Sequence, residues 1–150
     1  MGEETLLIVG NGFDLSIGFK TSYGDFMKSS YFPHEETSNL CSYLHKQYEE
    51  NMGWIDIENE LSVYSRMLTT KKLNAQKYNT ILDIGSLREE FDELKSSLKC
   101  YLQEETKRAF GPSPDNPAKR VIDQLPADSK IISFNYTSII TSVRIKSQKR

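Results

Sequence analysis

The chain has 150 residues, which accommodates one domain with a substantial hydrophobic core and is short for two. Its 19 Lys and Arg residues nearly balance its 21 Asp and Glu residues, so no net field attracts it to nucleic acid or to anionic lipid. The sequence has neither an apolar run that would cross a membrane nor a secretory signal pattern. We expect a cytoplasmic protein with no membrane partner and no clear nucleic-acid site.

The first predicted element is a strand at residues 5–9, TLLIV, because a continuous apolar and β-branched run is typical of a strand covered on both faces. Gly10 ends this strand. Five segments with the apolar spacing of helices follow, and the segment opened by a Ser86 and Glu89 capping box has the clearest apolar stripe. The predicted helices begin near Ser22, Leu40, Asp56, Ser86 and Asn116.

Residues 130–134, KIISF, form a second apolar run, which Asn135 ends. A strand, a long helical stretch and a second parallel strand predict an α/β fold. We expect a Rossmann-like parallel sheet with a large helical insertion between its first and second strands. Two strands do not make a stable sheet, and parallel sheets need cover on both faces. Further strands are therefore expected from the chain's tail, from a second copy in a homo-oligomer, or from residues outside this sequence.

Three glycines follow the first strand where a nucleotide-binding loop has its glycines. Gly10, Gly12 and Gly18 permit a turn and a close approach of backbone N–H groups to phosphate. The dinucleotide fingerprint is incomplete, because Leu15 occupies the place of its third glycine. The stretch from Gly18 to Thr21 resembles the end of a Walker A loop, with one residue too many. A plain strand-to-helix turn without a ligand explains this local pattern equally well.

Polar side chains follow both predicted strands. Asn11 and Asp14 come after the first, and Asn135, Tyr136 and Thr137 come at the end of the second. Because parallel strands end on the same side of a sheet, these residues should approach each other, at the edge where open α/β sheets bind ligands. A turn residue without a ligand is the commoner role for an Asn after a strand, and that alternative stays open for Asn135.

The sequence WIDIE at residues 54–58 has functional and structural interpretations. Asp56 and Glu58 suit metal ligation or acid–base catalysis, but two positions apart on a helix they share no face. An N-cap and a first-turn acid explain them better. Trp54 suits stacking on a base, although we expect it to pack as a hydrophobic staple. No His or Cys residues have metal-ligand spacing, so no metal site is predicted.

Three stretches together resemble the bacteriophage abortive infection AbiH family: IVGNGFDLSIGFKTSYGDF at 8–26, WIDIE at 54–58 and ISFNYT at 132–137. The resemblance implies a role in bacterial defence against phage. It also implies that residues 1–150 are a single AbiH-like domain and an incomplete N-terminal portion, because family members continue beyond the Asn-Tyr-Thr strand. Apart from the resemblance, the basic and polar end of the chain, residues 138–150, is expected to be a disordered tail.

The loop that contains Gly10, Gly12 and Gly18, here called the glycine loop, and the strand ending in Asn-Tyr are more distantly similar to sirtuin-like NAD-binding proteins. These proteins include NAD-cleaving defence enzymes. This likeness implies that the loop binds NAD or another nucleotide and that Asn135 lies near the nicotinamide ribose. If the chain cleaves NAD, the catalytic residues would be Asn135 and Asp14, the latter positioning a hydroxyl. The implied nucleotide contacts are Gly10, Asn11, Gly12, Phe13, Gly18, Thr21 and Tyr136.

The chain departs from the sirtuin-like pattern in one important respect. Those enzymes use a His after the Asn motif, whereas His34 and His45 both precede Asn135 here. This departure leaves a second hypothesis open, a sensor or interaction module that binds a nucleotide or a phage component without chemistry. An inactive fragment is the third.

Overall fold

The computed structural model describes residues 5–33, 38–77, 86–107, 113, 115–135, 137–138 and 140. They form two strands and six helices in two compact units, one of residues 1–22 and 102–150 and the other of residues 23–101. The elements are β1 (Leu6–Val9), α1 (Gly12–Ser16), α2 (Tyr23–Met27), α3 (Asn39–Glu50), α4 (Ile57–Lys77), α5 (Ser86–Lys107), α6 (Pro117–Gln124) and β2 (Lys130–Ser133). None of the helices in these ranges combines the length and apolar character needed to span a membrane.

The two strands of the first unit pair in parallel, which confirms the predicted pairing. Leu6 lies opposite Lys130, and Val9 lies opposite Ser133. The ladder continues beyond the strands, since Phe134 N donates to Val9 O at 2.8 Å. A largely helical chain with a two-strand parallel sheet is compatible with the predicted α/β class.

One face of this sheet is covered and the other is exposed. Val9 and Ile131 pack on a core of buried residues from the α1 region, α6 and the segment after β2. The buried members of that core are Ile17, Phe19, Ile122 and Ile140. On the opposite face the exposed fractions are 53% for Leu6 and 61% for Ile8. The prediction that the first strand is covered on both faces is therefore wrong within the described residues, which place no element over that second face.

Helix α6 begins as its sequence predicts. Asn116 is the N-cap, and its side-chain oxygen accepts hydrogen bonds from the backbone N–H groups of Ala118 and Lys119. Pro117 follows at the first helical position, where its missing N–H costs nothing. The amide nitrogen of Asn116 also donates to Ser16 O at 2.8 Å, which ties α6 to the end of α1.

The second unit is a helical cluster whose predicted helices are confirmed. Phe26, Leu40 and Leu44 are fully buried, and Phe26 packs its ring against Tyr101 with centroids 5.6 Å apart. Gly53 ends the turn after α3 with φ +81°, a conformation that favours glycine.

The WIDIE stretch begins α4 as expected except for its tryptophan. Asp56 Oδ1 accepts from Asn59 N at 3.1 Å, which confirms the predicted N-cap. Trp54 is 70% exposed, so its predicted staple role is wrong. Ile55 and Ile57, which follow Trp54 in the chain, are buried instead and fill the core where α4 begins.

Candidate functional site

The polar residues that follow the two strands meet in the first unit. Asn135 Nδ2 donates to Asp14 Oδ1 at 3.0 Å, and Thr137 Oγ1 donates to Asp14 Oδ2 at 2.5 Å. These three residues, here called the carboxylate cluster, join the α1 turn to the segment after β2. The meeting of strand ends therefore follows from parallel pairing, as the sequence predicts.

Asp14 is the centre of the carboxylate cluster and is fully buried, with an exposed fraction of 0%. Burial raises the pKa of this carboxyl, because the charged form loses its hydration. The hydrogen bonds from Thr137 and Asn135 act in the opposite direction, since they stabilise the ionised form. Both carboxylate oxygens are engaged by side chains, so Asp14 acts on its surroundings through Asn135 and Thr137.

Asn135 presents a further feature at its amide oxygen. This Oδ1 atom is shielded from solvent and has no hydrogen-bond partner among the described residues. A buried acceptor without a donor is uncommon in native structures and costs about 1–3 kcal/mol. Such an atom fits a place where a ligand supplies the missing donor. Tyr136, the adjacent predicted contact, lies outside the described residues.

Asn11 and Thr21 close the glycine loop on itself. Asn11 Nδ2 donates to Thr21 O at 2.9 Å, and Thr21 Oγ1 donates to Asn11 Oδ1 at 2.7 Å. Thr21 is buried, and the neighbouring Lys20 N donates to Glu105 Oε2 at 3.3 Å. These contacts give Asn11 and Thr21 a structural role in shaping the loop, while their contact with a nucleotide stays a prediction.

We expect Asn11→Ala to lower the free energy of unfolding by about 1–2 kcal/mol, because both hydrogen bonds of the loop closure disappear. Urea unfolding of Asn11→Ala, Thr21→Val and the double variant measures this. If the two side chains act as a pair, the double variant should lose less than the sum of the single losses. Additive losses would show that the closure contributes nothing as a pair.

In the part of the chain that it describes, the structure explains one of the three glycines of the loop and leaves the other two without a structural role. Gly18 has φ +97°, so the backbone itself requires glycine there. At Gly10 and Gly12 an added Cβ would meet no described atom within 4 Å, and neither residue has a positive φ. The described fold does not explain these two glycines, which are exposed and open to the approach of a ligand. Phe13 packs against the core of the first unit, and its predicted nucleotide contact stays a prediction.

Gly18→Ala should lower the free energy of unfolding by about 1–2 kcal/mol, because an L-residue at this φ is strained. The matched control is Gly12→Ala, where space is open and alanine favours the helical conformation of α1. Thermal unfolding should show a lower midpoint for Gly18→Ala than for the wild type, whereas the midpoint of Gly12→Ala should not be lowered. Equal midpoints would contradict the distinction between the two glycines.

Glu105 is a site-supporting residue that the sequence analysis missed. It is 4% exposed and accepts the Lys20 N–H at the end of the loop. A usable signal was present, because Glu105 lies four residues after Tyr101 and continues the apolar stripe of α5. An acid on an apolar helix stripe predicts a buried partner.

The second unit contains an apolar cavity of 530 Å³ between α4 and α5. It is lined chiefly by Leu61, Tyr64, Leu87 and Phe91, with Arg88 as its charged residue. The carboxylate cluster has the stronger chemical case, because it combines a buried carboxyl, an unpartnered amide oxygen and exposed glycines. Ligand sites are recognised by such convergent polar groups in addition to volume.

The sequence model of the family Bacteriophage abortive infection AbiH matches residues 6–150. The chain belongs to the AbiH family. The match includes β1, the glycine loop, β2 and every residue of the carboxylate cluster. No curated protein and no solved structure matches the chain significantly. AbiH membership connects the chain with abortive infection, the bacterial response to bacteriophage.

Proposed function

We propose that this AbiH chain acts in phage defence by binding a nucleotide at the carboxyl ends of β1 and β2, in a Rossmann-like arrangement. NAD is the first candidate ligand. The observation that carries the proposal is the hydrogen-bonded pair of the buried Asp14 and the half-buried Asn135, together with two exposed glycines that the described fold does not explain. Exposed glycine backbone suits a diphosphate, and an unpartnered acceptor suits a ligand donor.

The enzymatic form of this proposal is cleavage of the bond between nicotinamide and ribose. Such cleavage develops positive charge on the ribose, which a nearby carboxylate stabilises. Asn135 would orient the ribose and the attacking water, and ionised Asp14 would stabilise the charge through the Asn135 amide. Gly10 and Gly12 would bind the diphosphate by their backbone N–H groups.

A sensor that binds the nucleotide or a phage component without chemistry is the second candidate. It is favoured by the hydrogen bonds at Asp14, because both of its carboxylate oxygens already accept from Asn135 and Thr137, an arrangement that holds the strand ends together without any chemistry. The sheet has only two strands among the described residues, too few for a stable sheet, which supports a further proposal, that a second copy of the chain completes the sheet as a homo-oligomer. Such a copy would also cover the exposed face of Leu6 and Ile8.

Incubation with NAD separates the enzyme from the sensor. We expect the wild-type chain to release nicotinamide and Asn135→Ala to release none. NAD should raise the melting temperature of both proteins. A NAD-dependent rise in melting temperature without nicotinamide release would favour the sensor. Neither release nor a melting shift would contradict the nucleotide site.

A further inference from the structure

The buried carboxylate of Asp14 determines which end of the Asn135 amide faces it. An ionised carboxylate only accepts hydrogen bonds, so it selects the NH₂ end of the amide, and Asn135 Nδ2 lies 3.0 Å from Asp14 Oδ1. Thr137 Oγ1 occupies the other carboxylate oxygen, which holds the carboxylate plane in place. The amide of Asn135 is thereby fixed, with its oxygen directed away from Asp14.

The oxygen of the Asn135 amide, which faces away from Asp14, requires a partner that donates a hydrogen bond. It has no partner among the described residues and is buried. An amide oxygen repels phosphate oxygens and pairs with a donor such as a hydroxyl. In a bound nucleotide the phosphates therefore belong beside Gly10 and Gly12, where space is open. The hydroxyl-bearing sugar is the part that satisfies Asn135.

We infer that Asp14 is a positioning residue, which fixes the Asn135 amide so that its oxygen accepts a hydrogen bond from a sugar hydroxyl of the bound nucleotide. This inference rests on the proposed nucleotide site. Asp14 acts through Asn135 and does not contact the ligand, because it is fully buried and both of its oxygens are engaged. Without Asp14 the amide of Asn135 can rotate. Only the orientation that presents its oxygen then accepts the hydrogen bond from the sugar hydroxyl, so part of the population loses that bond.

Calorimetric titration of NAD into the full chain tests this. Asp14→Ala should weaken NAD binding about tenfold, the value of one hydrogen bond, and Asn135→Ala should weaken it by the same factor. The double variant should lose no more than Asn135→Ala alone. Asp14→Asn should weaken binding less than Asp14→Ala, because an amide oxygen there still accepts from Asn135 Nδ2, although its NH₂ group no longer excludes the opposite orientation.

The control for general destabilisation is Ile122→Ala, which opens the core of the first unit outside the carboxylate cluster. It should lower stability and leave NAD affinity at the wild-type value. Wild-type affinity in Asp14→Ala would overturn the inference, and so would additive losses in the double variant. A larger loss of affinity in Asp14→Asn than in Asp14→Ala would also overturn the inference, because the asparagine still offers an acceptor to the Asn135 NH₂ group and alanine offers none.

A measurement without ligand separates this inference from the nucleotide proposal. In the wild type, NMR should show slow deuterium exchange at the Asn135 side-chain NH₂ and fast exchange in Asp14→Ala. If NAD fails to bind while this difference is present, the nucleotide site is wrong and the orientation by Asp14 stands. Equal exchange in both proteins would overturn the orientation whatever the outcome with NAD.

Discussion

Asp14→Ala should lower the free energy of unfolding by about 2 kcal/mol, with loss of the contact between the α1 turn and the segment after β2. Two hydrogen bonds to an ionised group disappear, each worth about 1.5–3 kcal/mol. Relief from burying a charge opposes this loss, which is why the net value is smaller than the sum. Urea unfolding at neutral pH measures the change.

The contrasting variant is Asp14→Asn, which preserves the shape and an acceptor for Asn135. It should unfold at a urea concentration closer to that of the wild type than Asp14→Ala does. If Asp14→Ala were as stable as the wild type, the carboxylate cluster would not hold the two strand ends together. Circular dichroism before unfolding verifies that each variant is folded.

The raised pKa of Asp14 predicts a pH dependence of this comparison. Below about pH 3.9, the ordinary value for Asp, the carboxyl is neutral in both the folded and the unfolded chain. As the pH rises from there to the folded pKa, the unfolded chain releases its proton first, which favours unfolding. The wild type should therefore lose stability relative to Asp14→Asn, by up to about 1.4 kcal/mol per pH unit.

Above the folded pKa the difference between the two proteins should be constant. The comparison isolates Asp14, because the other titrating groups are the same in both chains. Urea midpoints at half-unit pH intervals from the acid side supply the curve. A wild type that gains stability relative to Asp14→Asn over this window would show that the hydrogen bonds from Thr137 and Asn135 outweigh burial.

Gly12→Asp should abolish nucleotide binding while leaving the fold intact, and this is the largest effect on function that we expect. The new side chain has open space among the described residues and stands in the first turn of α1, where an acid is tolerated. Its charge would lie beside the proposed diphosphate. Two like charges 4 Å apart at a protein surface repel by about 4 kcal/mol, which corresponds to a loss of more than 100-fold in affinity.

Asn59→Asp is the matched control for charge. It introduces the same negative charge at an exposed position in the first turn of α4, in the other compact unit. Its NAD affinity and its melting temperature should equal those of the wild type. Nucleotide binding that survives Gly12→Asp would place the ligand elsewhere on the chain.

Much of the secondary structure could be predicted, because local patterns determine it. The apolar runs at β1 and β2 specify strands, and Asn116 followed by Pro117 specifies a helix start, since each signal depends only on neighbouring residues. Parallel pairing then brings Asp14 and Asn135 to one edge of the sheet. That step needs only the general geometry of parallel strands.

The features that sequence analysis missed depend on contacts between residues far apart in the chain. The place of Glu105 on the apolar stripe of α5 predicts that it is buried, but nothing near residue 105 identifies its partner, the Lys20 N–H. Trp54 is exposed because Ile55 and Ile57 already fill the adjacent core. A local pattern predicts only how often a residue of that type is buried. The tertiary packing decides which of several neighbouring residues is buried in this chain.

Calorimetric titration of NAD into the wild type, Gly12→Asp and Asn59→Asp is the decisive experiment for a nucleotide site at the carboxyl ends of β1 and β2. We expect saturable one-to-one binding to the wild type and to Asn59→Asp, and no detectable binding to Gly12→Asp. Absence of binding to the wild type, or equal binding to all three proteins, would contradict that site.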